Sequence, residues 1–180
     1  MKRHILIGWF ACLLGITTMS HAQAIPTASR VSSIQVGLGG MITSPDYAQQ
    51  YIKGLTLYGD YNFQHNIGVE AEIHYSLITP TDLSENTYLI GPRYVVRRKN
   101  FTGYAKVLLG MGRFGTQGGS FGTTTTTSYT AYAFGGGLEY MAPHNLNVRI
   151  LDVELQKWPS FPTNGLSPIS YSIGVAYAFH

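Results

Sequence analysis

Cysteine is nearly absent from this sequence: Cys12 is the only one in 180 residues. It lies inside an apolar stretch and is followed by Leu13 and Leu14, so it does not read as a lipid-attachment site. No disulfide framework is available, and stability must come from another source, such as a large hydrogen-bonded sheet. Charge is scarce too. Asp, Glu, Lys and Arg make up 12% of the residues, about half the share usual in a soluble domain. Beyond the N-terminal segment no apolar run reaches the ~20 residues that a membrane helix needs. The formal net charge of +3 falls to +1 without Lys2 and Arg3, which leaves no charge argument for a nucleic-acid partner.

The N-terminal segment has its own logic. "MKRH" is a basic start, "ILIGWFACLLGITTM" an apolar stretch, and "SHAQA" supplies small residues at signal-peptidase spacing. The pattern predicts a signal peptide over 1–22, cut after Ala22 or alternatively after Ala24. A polar leader, 23–31, follows in place of a basic stop, which argues against a membrane anchor. The remainder, 32–180, forms one domain.

That domain has many glycines and tyrosines (21 and 13 in the chain) and alternates. Mean hydropathy is only +0.03, as expected where apolar and small or polar residues take turns. Ile34, Val36, Leu38 and Ile42 share one strand face, opposite Gln35, Gly37, Gly39 and Met41. Leu55, Leu57, Tyr61 and Phe63 oppose Thr56, Tyr58, Asp60 and Asn62. In "IGVEAEIHY", Ile67, Val69, Ala71, Ile73 and Tyr75 oppose Gly68, Glu70, Glu72 and His74. Five further strands follow, in "TYLIGPRYVV", "GYAKVLLGMG", "TAYAFGGGLEY", "LNVRILDVELQ" and "YSIGVAYAFH". Pro92 predicts a local break in the ladder. A slip of parity at Ile150–Leu151 predicts a β-bulge.

Connections alternate in length. "QHN", "RRKN" and "APHN" are short, whereas 44–53, 76–86, 113–128 and 157–168 are long. Short turns on one side and long loops on the other belong to an eight-stranded antiparallel up-and-down transmembrane β-barrel, an all-β fold with short periplasmic turns and longer external loops. The alternative is a soluble, lipocalin-like ligand-binding barrel. It would turn the small-residue face, with Gly37, Gly39, Ala131, Ala133 and Ala176, to water, and that is a poor solvent surface. As the lining of a narrow lumen, the same face relieves crowding.

With the strands placed, "YLIGPRYVV", "YAKVLLGMG", "AFGGGLEY", "VRILDVEL" and "GVAYAF" follow an order that resembles the outer-membrane protein β-barrel domain family, with its small OmpX-like, OmpA-membrane-domain-like and opacity-like barrels. The resemblance spans the mature chain. It implies a bacterial outer-membrane location, contact with outer-membrane lipid, and a C-terminal signal read by the barrel-assembly machinery. Ser172, Gly174, Tyr177 and Phe179 match that signal position by position; His180, after the final aromatic, departs from it. A chain ending at the barrel implies no appended OmpA-like domain.

The inward faces gather Asp60 and the charge set Glu70, Glu72, Arg93, Lys106, Glu139, Arg149, Asp152 and Glu154. Charges in a narrow lumen must pair. The expected pairings are Arg149 with Asp152 or Glu154, and Lys106 or Arg93 with Glu70 or Glu72. Acids outnumber bases, so water, protonated carboxyls or His74 must take up the remainder. An enzymatic alternative rests on His74 and Ser76. This H-x-S pair resembles that of a lipid A-modifying outer-membrane hydrolase, with Glu85 as orienting acid. Strand parity turns His74 inward, away from the lipid that such an enzyme attacks. His65 and His144 fall in short turns without metal-ligand spacing, and no cofactor motif is present. Tyr47, Tyr51, Tyr75, Tyr129 and Trp158 fit interfacial girdles. The "TTTTT" run, 123–127, reads as a mobile loop or an extended strand rim. The expectation is a non-enzymatic structural or surface-interaction protein whose four long loops meet an external partner.

Overall fold

The computed structural model describes residues 33–46, 50–78, 83–116, 125–162 and 165–179. The expected signal peptide with its cleavage at Ala22 or Ala24, the leader, Tyr47, Thr123, Thr124 and His180 lie outside the described residues.

Eight strands run in chain order: β1 (Ser33–Ser44), β2 (Ile52–Asn62), β3 (Ile67–Ile78), β4 (Leu83–Arg98), β5 (Phe101–Thr116), β6 (Thr125–Met141), β7 (Leu146–Lys157) and β8 (Ile169–Phe179). Each pairs antiparallel with the next, and β1 closes on β8 from Ile34↔Phe179 to Ser44↔Ile169. Closure leaves no edge strand, so backbone groups are satisfied within the sheet, as a lipid environment demands. The sides follow the predicted parity. Leu38 is 56% exposed and Ile173 60% exposed on the outer surface, while Glu70, Glu72, Arg93 and Arg149 are buried inside. An apolar exterior around a polar interior is the inverse of a soluble ligand-binding barrel, and that alternative is overturned.

Both predicted irregularities are present. On the β5 side, β4 keeps its register from Ile90↔Leu109 to Arg93↔Lys106 but skips Gly91 and Pro92, where proline has no N–H to donate. In β7, Ile150 and Leu151 both face outward, and two residues stand opposite the single Ile173 of β8. Two of the tight turns use left-handed backbone: Lys99, at φ 54° in the two-residue turn between β4 and β5, and His144 and Asn145, at 64° and 62° in the four-residue turn between β6 and β7.

The long connections need correction. The segments 76–78, 83–86, 113–116 and 125–128 belong to strands, as do Ser44, Ile52, Lys53 and Lys157. The strands leave 45–51 and 158–168 as connections described in part, while 79–82 and 117–124 lie outside the described residues. Thr125, Thr126 and Thr127 are strand rim, one of the two expected readings. With 16, 16 and 17 residues, β4, β5 and β6 exceed the roughly 9–11 needed to span a bilayer. Their excess raises one wall of the barrel above the other strands, which have 11 or 12 residues.

Candidate functional site: a charged lumen under an aromatic plug

Seen from the short-turn end, the lumen opens as a cavity of about 450 Å³ lined by Asn62, Gln64, His65, Arg97, Thr102, His144, Asn145 and Asn147, with Arg93 and Glu139 among its walls. Beyond it, the charges close ranks. Arg93 lies 2.5 Å from Asp60, 2.8 Å from Glu139 and 3.4 Å from Glu70. Arg149 reaches Glu70 at 3.1 Å and Glu139 at 3.2 Å, with Glu72, Asp60 and Asp152 at 3.7, 3.7 and 3.8 Å. Lys106 Nζ contacts Glu72, and lies 3.1 Å from Glu70, 3.1 Å from Asp152 and 3.3 Å from Glu154. All eight residues of the charge set thus meet in one network with Asp60. Arg149 takes Asp152 rather than Glu154, and Lys106 takes both Glu70 and Glu72.

Polar and aromatic groups complete it. Gln35 donates to Asp60, the Tyr104 hydroxyl to Asp152, and Thr56 to Glu72 at 2.9 Å. Arg149 stacks over Tyr58, and Arg93 over Tyr104 at 4.0 Å. The sequence pattern placed Tyr58 inward but gave no sign that either tyrosine is a platform for a guanidinium. Tyrosine serves the girdles and the lumen alike, and only parity separates the two uses. Small residues make room for the rings: a Cβ on Gly37 would fall 2.2 Å from the Tyr58 ring.

Six carboxylates (Asp60, Glu70, Glu72, Glu139, Asp152 and Glu154) face three permanent cations in this network. His74 stands at its outer end, with Nε2 3.1 Å from Glu72 and Nδ1 3.9 Å from Glu154.

Above His74 the lumen turns apolar. Leu89, Leu108, Ala131, Ala133, Trp158 and Leu166 form a buried cluster, and Phe114, Tyr129 and Phe161 pack against it. Trp158 corrects the girdle expectation: it is 0% exposed, folded into the lumen on the bare backbone of Gly112. Tyr129, half-buried on the inner face, stacks 5.0 Å from Phe161. Tyr51 and Tyr75 do face outward. The segment that carries Trp158 folds back on itself, its N–H donating to the Leu166 carbonyl at 2.8 Å. Gly165, at φ 78°, makes the return.

One hydrogen-bonded chain joins plug and charges. Trp158 Nε1–H donates to Gln156 Oε1 at 3.2 Å. The Gln156 amide N–H₂ therefore points the other way, at Glu154 Oε1 (2.7 Å) and His74 Nδ1 (3.2 Å). Because Nδ1 accepts, neutral His74 carries its proton on Nε2, toward Glu72. Ligand atoms of Glu72, His74 and Glu154 lie within 4.8 Å of one another. They are nevertheless committed: the ring nitrogen facing Glu72 is protonated, and Lys106 holds both carboxylates. The trio is an ionic link rather than an open ligand set.

Ser76 makes no triad with His74. Its Oγ donates to the Glu85 carbonyl, and its N–H donates to Asn86 Oδ1 at 2.8 Å. His74 spends its ring nitrogens on Glu72, Glu154 and Gln156.

The profile of the outer membrane protein beta-barrel domain matches residues 9–179. No curated protein matches the sequence. Among solved structures the chain is similar to Ail, the attachment invasion locus protein of Yersinia pestis, in complex with the heparin analogue sucrose octasulfate. The identity is 21%, over 82% of this chain and 97% of that one, with a TM-score of 0.54. It is also similar to Neisserial surface protein A (14% identity, 82% and 97% covered, TM-score 0.60). OprG from Pseudomonas aeruginosa follows (16%, 83% and 96%, TM-score 0.55). Identities this low speak for the fold alone.

Proposed function

The chain belongs to the outer membrane protein β-barrel domain family and resides in the bacterial outer membrane, and on that premise we propose that it acts non-enzymatically, as a structural and surface-interaction barrel. The observation that carries this reading is the raised wall of β4, β5 and β6, about five residues longer than a minimal spanning strand, or roughly 12 Å of extra height for strands tilted about 45°. Such a wall is longer than the bilayer requires; its inner face seats Phe114 against the plug, and it carries the segments 113–116 and 125–128 to the exterior. Two further features favour it. Side chains and the Trp158 plug fill the lumen, which disfavours a diffusion pore. His74 and Ser76 point to different partners, which disfavours the lipid A hydrolase.

On the same reading, Ser172, Gly174, Tyr177 and Phe179 serve as the assembly signal on β8. The outward pair Tyr177 and Phe179 meet edge to face with ring centroids 4.9 Å apart, a continuous aromatic edge for the assembly machinery. The signal peptide, cut after Ala22, delivers the chain to it.

The wall is tested by shortening it. Arg113 pairs with Ser128, so replacing 114–127 by Asn-Gly joins β5 to β6 in register through a two-residue turn. Cells displaying the intact and shortened proteins are compared for adhesion to epithelial monolayers and to immobilised heparin, since Ail is solved with a heparin analogue. Adhesion should fall for the shortened barrel, with heat-modifiable gel migration showing that it still folds. Equal adhesion by both, and by cells lacking the protein, would remove the surface-interaction role.

A further inference from the structure

The hydrogen-bonded chain from Trp158 to Glu72 has only one consistent arrangement of protons, and that arrangement depends on the charge of His74. Trp158 Nε1–H can only donate, so Gln156 must turn its oxygen toward the indole. Its N–H₂ is then committed to His74 Nδ1 and Glu154. A proton arriving at Nδ1 sets two donors against each other at 3.2 Å. Rotating the Gln156 amide relieves this clash but brings its N–H₂ against the Trp158 N–H and its oxygen against Glu154. Neither orientation serves both ends. The imidazolium also gains a direct partner in Glu154 Oε1, 3.9 Å from Nδ1, which replaces the donor that Gln156 withdraws.

We propose that His74 is a proton-operated latch: neutral, it holds the Trp158 plug in the lumen through Gln156; protonated, it pairs with Glu154 and releases the plug. The titratable and charged groups around His74 are Glu72 on its own strand, Lys106 from β5, and Arg149, Asp152 and Glu154 from β7, with Glu85 inward on β4. The four acids exceed the two cations, Lys106 and Arg149, at this end of the network. The apolar plug closes the outer route to His74, whereas the polar cavity at the short-turn end leads to Arg93 and Glu139 and on through the carboxylates. Protons therefore arrive from the periplasmic side, and Trp158 answers on the external side.

Trp9 and Trp158 are the two tryptophans of the chain, so protein purified from outer membranes with Trp9→Phe reports on Trp158 alone. Acrylamide quenching of its fluorescence is followed from about pH 8 to about pH 5, the range in which histidine ordinarily titrates. Quenching should rise several-fold on acidification, with a red-shifted emission, while heat-modifiable migration stays that of a folded barrel. His74→Asn should be flat over the same range, and Gln156→Leu should be strongly quenched throughout. A flat curve for the otherwise wild-type protein overturns the latch even if neither variant folds. So does a transition that survives in His74→Asn.

Discussion

The guanidinium carbon of Arg149 lies 3.5 Å from the centroid of the Tyr58 ring. Tyr58 is thus a platform for the most heavily engaged cation in the lumen. A desolvated cation–π contact is worth about 2 kcal/mol. Tyr58→Leu should lower stability by about that amount in urea titrations of the lipid-reconstituted barrel. Tyr58→Phe keeps the face of the ring and removes a hydroxyl with no hydrogen-bond partner, so it should stay within about 0.5 kcal/mol of wild type.

Lys106 is the shared counter-ion of Glu70, Glu72, Asp152 and Glu154. Lys106→Met leaves four carboxylates facing one another in a space closed to bulk water. Removing one partner of a buried ionic group costs about 3–5 kcal/mol. The same urea titration should show a loss of that size, and adding Glu72→Gln to the variant should recover part of it. A double variant no more stable than Lys106→Met would mean that the carboxylates are compensated by something other than Lys106.

Leu57 pairs with Leu38, and Leu38 with Val175, at the middle of the shortest walls. All three face outward. Leu57→Arg should therefore cost about 2–4 kcal/mol, the penalty for a cation near the bilayer midplane, and refolding into vesicles should slow or fail. An unperturbed Leu57→Arg barrel would displace the membrane midplane from this level.

Ser76→Ala removes a hydroxyl that bonds only the Glu85 backbone, donating to its carbonyl and accepting from its N–H at 3.3 Å. Mass spectrometry of lipid A from cells expressing wild type and Ser76→Ala should give identical acylation patterns. Acyl-chain loss that depends on Ser76 would restore the hydrolase.

The strands, their sides, the break at Pro92 and the bulge at Ile150–Leu151 were all legible in the sequence. Each strand separates two unlike media, and period-two alternation records the difference directly. The record fails where the media stop differing. Above the bilayer both faces of β4, β5 and β6 meet water or a mixed rim, so Thr125–Ser128 and Arg113–Thr116 carry no apolar alternation and read as loop. Trp158 was misread for a related reason. It lies just past β7, where parity no longer assigns a side, and a tryptophan near a strand end fits an interfacial ring as well as a plug. The inward charges were visible through parity alone, but their partners were not, because pairing across a lumen depends on which strands face each other at the same height.

The bulge in β7 has a consequence for chain length. Ile150 and Leu151 together occupy the place opposite Ile173, so this strand holds one residue beyond what its neighbours can match. Deleting Ile150 would leave Arg149 opposite Gly174, Leu151 opposite Ile173 and Asp152 opposite Ser172, with every side chain still on its present side. Deleting Leu155 instead would, if the bulge closed, turn Asp152 and Glu154 into lipid, and, if the bulge stayed, turn Gln156 outward. The barrel therefore contains one silent place for a single-residue deletion, the Ile150–Leu151 pair, and the cost of a deletion grows with its distance from that pair. Heat-modifiable migration of the two deletion variants would distinguish them on one gel.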